Sequence, residues 1–223
     1  MTPADYYAAA RTGHNTADAG GDTGAKLDFM FGSEHSDNAQ IPFTTAEACL
    51  TERFPECQHA TENDDYWKWP TELRQAREAT ERSPSGEFTG LTAMRGFEWT
   101  NDYYNHLNVY LSTNFTNVKV DGSYTSMDLF WDWLREPVAE GGGADGLVTF
   151  NHPGGNPALT PFDGDQPHNE VLAQFPGGAN WNDLAYVPDV DDRMAAMEVK
   201  GGDDLEWYVK ALTNGWHIGA VAN

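Results

Sequence analysis

The apolar residues of this chain come in short, compact runs, and helical spacing fills much of the sequence between them. Leu27–Gly32, Thr89–Phe97, Leu107–Ser112, Leu147–Phe150, Met194–Val199 and His217–Ala222 each read as a strand bounded by turn formers. Tyr6–Arg11, Asp65–Arg82, Ser126–Glu140 and Asp203–Asn214 read as helices. The first follows Thr2-Pro3-Ala4-Asp5, which supplies a cap and a proline at the first helical position. In Ser126–Glu140, residues Met127, Phe130, Trp131 and Leu134 fall on one face, and the triplet Gly141-Gly142-Gly143 ends it. Short strands alternating with helices predict an α/β layer or barrel and exclude an all-β sandwich. A chain of 223 residues with 39% hydrophobic content can bury one large core. The expectation is therefore a single domain over 1–223, with loop insertions near 39–64 and 153–192.

The formal charge is −22, from 35 acidic against 13 basic residues. Nucleic acid and anionic membranes both demand clustered Lys and Arg, so neither is an expected partner. An anionic substrate would need a local cation to hold it, and bound metal ions are the obvious source. The acid excess suits an extracellular or periplasmic protein, or alternatively the cytoplasm of a halophile. Cys49 and Cys57 are too few for a cysteine-rich zinc site, and a local disulfide between them fits an exported protein. No run approaches the length of a membrane span, and the first twenty residues lack the pattern of a signal peptide.

Three segments place a histidine or glutamate where an apolar run stops: Ser33-Glu34-His35-Ser36-Asp37-Asn38, Arg95-Gly96-Phe97-Glu98-Trp99-Thr100 and Phe150-Asn151-His152-Pro153-Gly154-Gly155. A lone histidine after a strand is more often structural than a ligand. Three such segments, with His106 in Asn105-His106-Leu107-Asn108-Val109 as a fourth group, point to a metal centre. In α/β folds functional groups gather at the C-terminal ends of strands. Imidazole and carboxylate are the usual ligands of Zn, Mn or Fe, and a carboxylate can bridge two cations. Water on such cations becomes a nucleophile near neutral pH while the metals neutralise charge on a phosphoryl or carbonyl oxygen, so hydrolysis is the natural reaction class.

These residues resemble a family. Leu27-Asp28-Phe29-Met30-Phe31-Gly32-Ser33-Glu34-His35-Ser36-Asp37-Asn38 is similar to the second motif of the polymerase and histidinol phosphatase (PHP) superfamily, a strand ending in Thr-Asp-His. Gly96-Phe97-Glu98 resembles its bridging-glutamate motif, and Phe150-Asn151-His152-Pro153-Gly154 its Asn/Ser-His-Pro-Gly motif. Met197-Glu198-Val199 and Gly215-Trp216-His217-Ile218-Gly219-Ala220-Val221 resemble the two strands before its last motif. The resemblance implies a distorted (β/α)7 TIM-like barrel with two or three divalent transition metal ions, acting mostly on phosphate esters. By position it makes His35, Glu98, His106 and His152 ligands, with Glu98 bridging. Glu34 stands where the family has Asp and would orient an imidazole from behind. Lys200, just after the strand that holds Glu198, would touch a substrate anion, with a solvated surface lysine as the alternative reading. The family's opening His-x-His motif has no counterpart here, and its closing Asp-x-His pair would fall after Asn223. The expectation is a barrel incomplete at both ends, lacking its first strand and its C-terminal end, with little turnover from residues 1–223 alone.

The leading expectation is thus a metal-dependent phosphoesterase. The same centre acting on carboxylic esters or carbamates is the alternative, and a non-catalytic acidic module binding cations or glycans is a third. His14, His59, His168 and His217 read as structural or exposed. The tryptophans read as core and loop anchors, with a glycan pocket as the alternative. Asn114-Phe115-Thr116 fits a glycosylation sequon.

Overall fold

The computed structural model describes residues 3–12, 27–36, 68–82, 84–86, 89–101, 103–120, 123–153 and 180–222. The chain divides into two compact units, Met1–Glu34 with Asn38–Phe97, and His35–Asp37 with Glu98–Asn223. Cys49, Cys57, His14, His59, His168 and the insertion expected at 39–64 lie outside the described residues. So does most of the insertion at 153–192.

In the first unit, helices α1 (Pro3–Thr12) and α2 (Lys68–Ala79) accompany two parallel strands, β1 (Phe29–Phe31) and β3 (Thr92–Met94), paired from Phe29↔Thr92 to Phe31↔Met94. Tyr7, Ala10, Ala76, Leu91 and Ala93 form its core. Ala10 and Ala76 leave the two helix surfaces low enough for close approach beside Tyr7. The Tyr7 hydroxyl donates to Met94 O at 2.8 Å, which satisfies the one polar atom that its burial brings inside. The Arg95 guanidinium lies 3.6 Å over the Trp69 ring and donates to Trp69 O at 3.1 Å. That pairing keeps a buried cation on a π face and a carbonyl.

The second unit is built on a six-stranded sheet in the order β10-β9-β8-β5-β4-β2. Its strands are β2 (Glu34–His35), β4 (Gly96–Asn101), β5 (Asn105–Tyr110), β8 (Leu147–Asn151), β9 (Met194–Glu198) and β10 (Gly219–Val221). A small β6–β7 pair (Lys119–Val120 with Ser123–Tyr124) is separate. β5 and β8 are antiparallel, whereas β8–β9 and β9–β10 are parallel. The architecture is mixed α/β, as expected, with an open sheet.

Helix α3 (Met127–Arg135) starts at Ser126, whose side chain accepts from Leu129 N, and buries Met127, Phe130, Trp131, Trp133 and Leu134. The expected helix to Glu140 stops at Arg135 because Pro137 disfavours helical backbone before it; Val138–Glu140 is a separate 3-10 turn closed by Gly141 at φ 96°. Helix α4 (Gly202–Asn214) ends at Gly215, φ 114°. Aromatic rings stack through the core, with Phe150 at 4.8 Å from Trp181 and 5.5 Å from Trp216, and Trp99 at 4.9 Å from Phe130. Trp99, Trp181 and Trp216 are core residues accordingly. Asn114 Nδ2 donates to both Val138 O and Gly142 O, so the sequon amide is spent on closing this turn. No helix among the described residues is long and apolar enough to cross a membrane.

The strand expected over Thr89–Phe97 is two strands, interrupted at Arg95, and the second runs on to Asn101. Glu98 therefore sits inside a strand rather than at its end. Polar residues continue the strand because each finds partners: Asn101 Nδ2 donates to Thr125 O, and Asn101 Oδ1 accepts from Tyr103 N and Tyr104 N.

Candidate metal centre

Glu98 is buried at 6% exposure in the middle of β4, with every residue of that strand buried. A carboxylate so placed requires hydrogen bonds on both oxygens. One oxygen, Oε1, lies 3.1 Å from His152 Nε2 and 3.4 Å from His106 Nδ1, and accepts from Asn151 Nδ2 at 3.2 Å. The other, Oε2, lies 3.3 Å from His35 Nε2 and accepts from Thr100 Oγ1 at 3.2 Å. Burial pushes the Glu98 carboxyl up, but hydrogen bonds from His106 and His152 and the His106 charge outweigh it and hold the group far below the ordinary range. The site thus favours an ionised carboxylate among imidazoles.

The histidines arrive from separate strands. His35 comes from β2, His106 from the start of β5 and His152 from the residue after β8. β5 and β8 pair with His106 opposite Asn151, which brings the two rings to 5.4 Å between centroids. One donor atom from each of Glu98, His106 and His152 lies within 4.8 Å of the others. Two imidazoles and a carboxylate are a donor set suited to zinc, manganese or iron. His35, half exposed at 54% of its side chain, approaches from the opposite carboxylate oxygen. The structure brings three of the expected ligands, His35, His106 and His152, around the fourth, Glu98.

Glu34 is half-buried beside His35 in β2; burial raises the Tyr6 hydroxyl and the Glu72 carboxyl, and the Glu34 charge adds to both. Lys200 Nζ lies 3.1 Å from Glu198 Oε1, with half its side chain exposed.

Two residues to which the sequence reading gave no role help build the site. Glu198, 4% exposed at the end of β9, places Oε2 2.6 Å from His152 Nδ1 and accepts from the His152 backbone N–H at 2.7 Å. Its signal in the sequence is the single carboxylate within the apolar strand Met194–Val199. Hydrogen bonding to Glu98 raises the His152 imidazole; partial burial opposes this and the Glu198 charge reinforces it. Trp181, buried in a left-handed turn (Asn180–Leu184; φ 58° at Trp181), donates through Nε1 to His106 O at 3.1 Å and through its backbone N to Tyr104 O at 2.7 Å. It comes from a segment read as loop. Away from the centre, His217 is exposed as expected and meets Asp191 Oδ2 at 2.6 Å.

Fold and site together define a mixed α/β protein with a candidate His/Glu metal centre. In comparisons with protein-family models, curated proteins and solved structures, nothing matches the chain.

Proposed function

We propose that this protein is a metal-dependent hydrolase, most specifically a phosphoesterase on a PHP-like (β/α)7 scaffold, with His35, Glu98, His106 and His152 as ligands of divalent transition metal ions. The observation that carries the reading is the division of labour at Glu98. One of its oxygens faces His106 and His152, and the other faces His35. A buried carboxylate presenting both oxygens to separate imidazoles suits a bridging role.

A bound divalent cation would supply acidified water and charge neutralisation at a phosphoryl oxygen. The chain's own residues supply the rest. Asn151 and Thr100 fix the two Glu98 oxygens, so the carboxylate is held before any ligand arrives. In a chain of net charge −22, concentrating histidines at this carboxylate supplies the local cation holder that an anionic ester needs.

The test is metal uptake by the 223-residue chain, followed by a substrate panel. After dialysis against zinc or manganese, elemental analysis should find metal in the wild type and a loss of it in His152→Ala and Glu98→Ala. Equal metal content in wild type and both variants overturns the assignment. Phosphate monoesters and diesters are then compared with carboxylic esters and carbamates under added metal. Hydrolysis confined to the last two moves the reaction to that class.

A further inference from the structure

Four successive residues, none of them glycine, have left-handed backbone: Trp181, Asn182, Asp183 and Leu184, with φ of 58°, 55°, 60° and 58°. Such backbone is ordinarily visited by single residues, because Cβ crowds the following carbonyl, so a whole turn of it persists only where its surroundings hold it. The holders stand at and beyond the end of α4. Asn214 Nδ2 donates to Asp183 O at 3.2 Å and to Leu184 O at 2.9 Å, and Trp216 Nε1 donates to Leu184 O at 3.0 Å. Lys210 pairs with the Asp183 carboxylate. At its other end the turn grips the strand that carries a candidate ligand. The Trp181 N–H donates to Tyr104 O at 2.7 Å and its Nε1 to His106 O at 3.1 Å, so one residue holds the carbonyls on both sides of Asn105. Asn105 is itself left-handed at φ 74°, and its side-chain oxygen accepts from the His106 N–H at 2.9 Å.

We infer that Asn214 is a positioning residue for His106: it holds the carbonyl end of the left-handed turn, and through Trp181 the turn sets the backbone from which the His106 ring reaches Glu98. Among the described residues, the Asn214 side chain bonds only to this turn, so its effect on His106 runs through Trp181. The Trp181 ring is well placed to transmit it, buried and stacked 4.8 Å from Phe150. His106 Nδ1 lies 3.4 Å from Glu98 Oε1, close enough that a small backbone shift changes how the ring meets the carboxylate. The effect on binding rests on the metal-site reading above, whereas the backbone coupling belongs to the metal-free chain. Residues joined in a chain of contacts to a site, without touching its ligand, change coupling by about 2- to 30-fold.

The experiment combines carbonyl-carbon NMR of the metal-free chain with zinc competition titrations at a temperature where the proteins are folded. The variants are Asn214→Ala, Asn214→Asp, which keeps the shape but removes both donors, Trp181→Phe, and the double variant Asn214→Ala with Trp181→Phe. In metal-free Asn214→Ala and Asn214→Asp, the Tyr104 and His106 carbonyl carbons should move from their wild-type positions. Both variants should bind zinc about 2- to 30-fold more weakly than wild type. The double variant should lose no more than the larger single loss, because both substitutions break the same chain of contacts. A merely structural role for Asn214 would lower Tm and leave these carbonyls and the zinc affinity of the folded protein unchanged. Unmoved carbonyls therefore overturn the inference whatever the zinc affinity, and so does unchanged zinc affinity in a wild type and variants that all bind it. Additive losses in the double variant overturn it as well. If the wild type binds no zinc while the two carbonyls move in both Asn214 variants, the positioning role stands and the metal-site reading fails.

Discussion

Asn105 and His152 meet one residue beyond the last paired position of β5 and β8, both with left-handed backbone, φ 74° and 44°, and the Asn105 amide donates to the His152 carbonyl at 3.1 Å. The two strand ends bend here together, and the bend returns the His152 ring to Glu98. Asparagine tolerates this conformation better than other non-glycine residues. Asn105→Ala should lose the hydrogen bond and strain the backbone, costing about 1–3 kcal/mol. Asn105→Gly should recover the backbone part alone. Chemical denaturation of the three proteins gives the order; equal stability of wild type and Asn105→Ala would refute the coupling.

Gly32 lies against the buried Glu72. A Cβ at that position would fall 1.7 Å from Glu72 Oε1 and 2.8 Å from the Tyr6 hydroxyl. Glu72 is 1% exposed and accepts from Tyr6, so it has little room to withdraw. Gly32→Ala should lower stability by about 1–3 kcal/mol, read as a fall in Tm.

The Glu72 carboxyl is pushed up to about 8 by burial, reinforced by the Glu34 charge and opposed by the Tyr6 hydrogen bond, Arg95 and the Gly96 N–H. In the unfolded chain it loses its proton near the ordinary 4.5, while the folded chain keeps it up to about 8. Folding therefore takes up a proton between those values. This contribution is fully present below about 4.5 and is lost as pH rises toward 8, at up to about 1.4 kcal/mol per pH unit. Glu72→Gln should remove that slope. Denaturant titrations of wild type and variant from pH 5 to 8.5 check it, and parallel curves would show that Glu72 ionises normally.

Trp181→Phe keeps a ring against Phe150 but deletes the Nε1 donor to His106 O. Leaving that carbonyl short of its donor should cost about 1 kcal/mol and loosen the start of β5. Zinc affinity should fall with stability. A variant that loses stability while binding zinc as tightly as wild type would separate Trp181 from the site.

His35 is exposed and addresses the opposite Glu98 oxygen, whereas His106 and His152 share one. Zinc titration should accordingly show a smaller loss in His35→Ala than in His152→Ala. The reverse order would place the tighter site on the His35 side.

Much of this arrangement was legible residue by residue. The period of the apolar runs locates β1, β5, β8, β9 and β10 to within a few residues, and the apolar face of α3 is the one the spacing marks, because burial of that face decides the helix. His35, Glu98, His106 and His152 stand out as ligand types beside apolar runs. Polar partners were harder to see. Glu198 and Asn151 fall in the motifs that carry the resemblance but had no role assigned, and Thr100 looks like an ordinary strand residue, until the fold puts them beside Glu98 and His152; the polar end of β4 past Glu98 finds partners in Glu98 itself and Thr125.

The sequence by itself determined the element types, the acidic balance and the chemical identity of the candidate ligands, since periodicity, charge and donor chemistry are local properties. Tertiary structure alone decided that the three histidines meet at the Glu98 carboxylate. It also decided that Lys200 meets Glu198 and that Glu198 meets both the backbone N–H and the ring of His152. Those outcomes depend on strand order and register, which bring together residues as far apart as His35 and His152 and which no local pattern encodes.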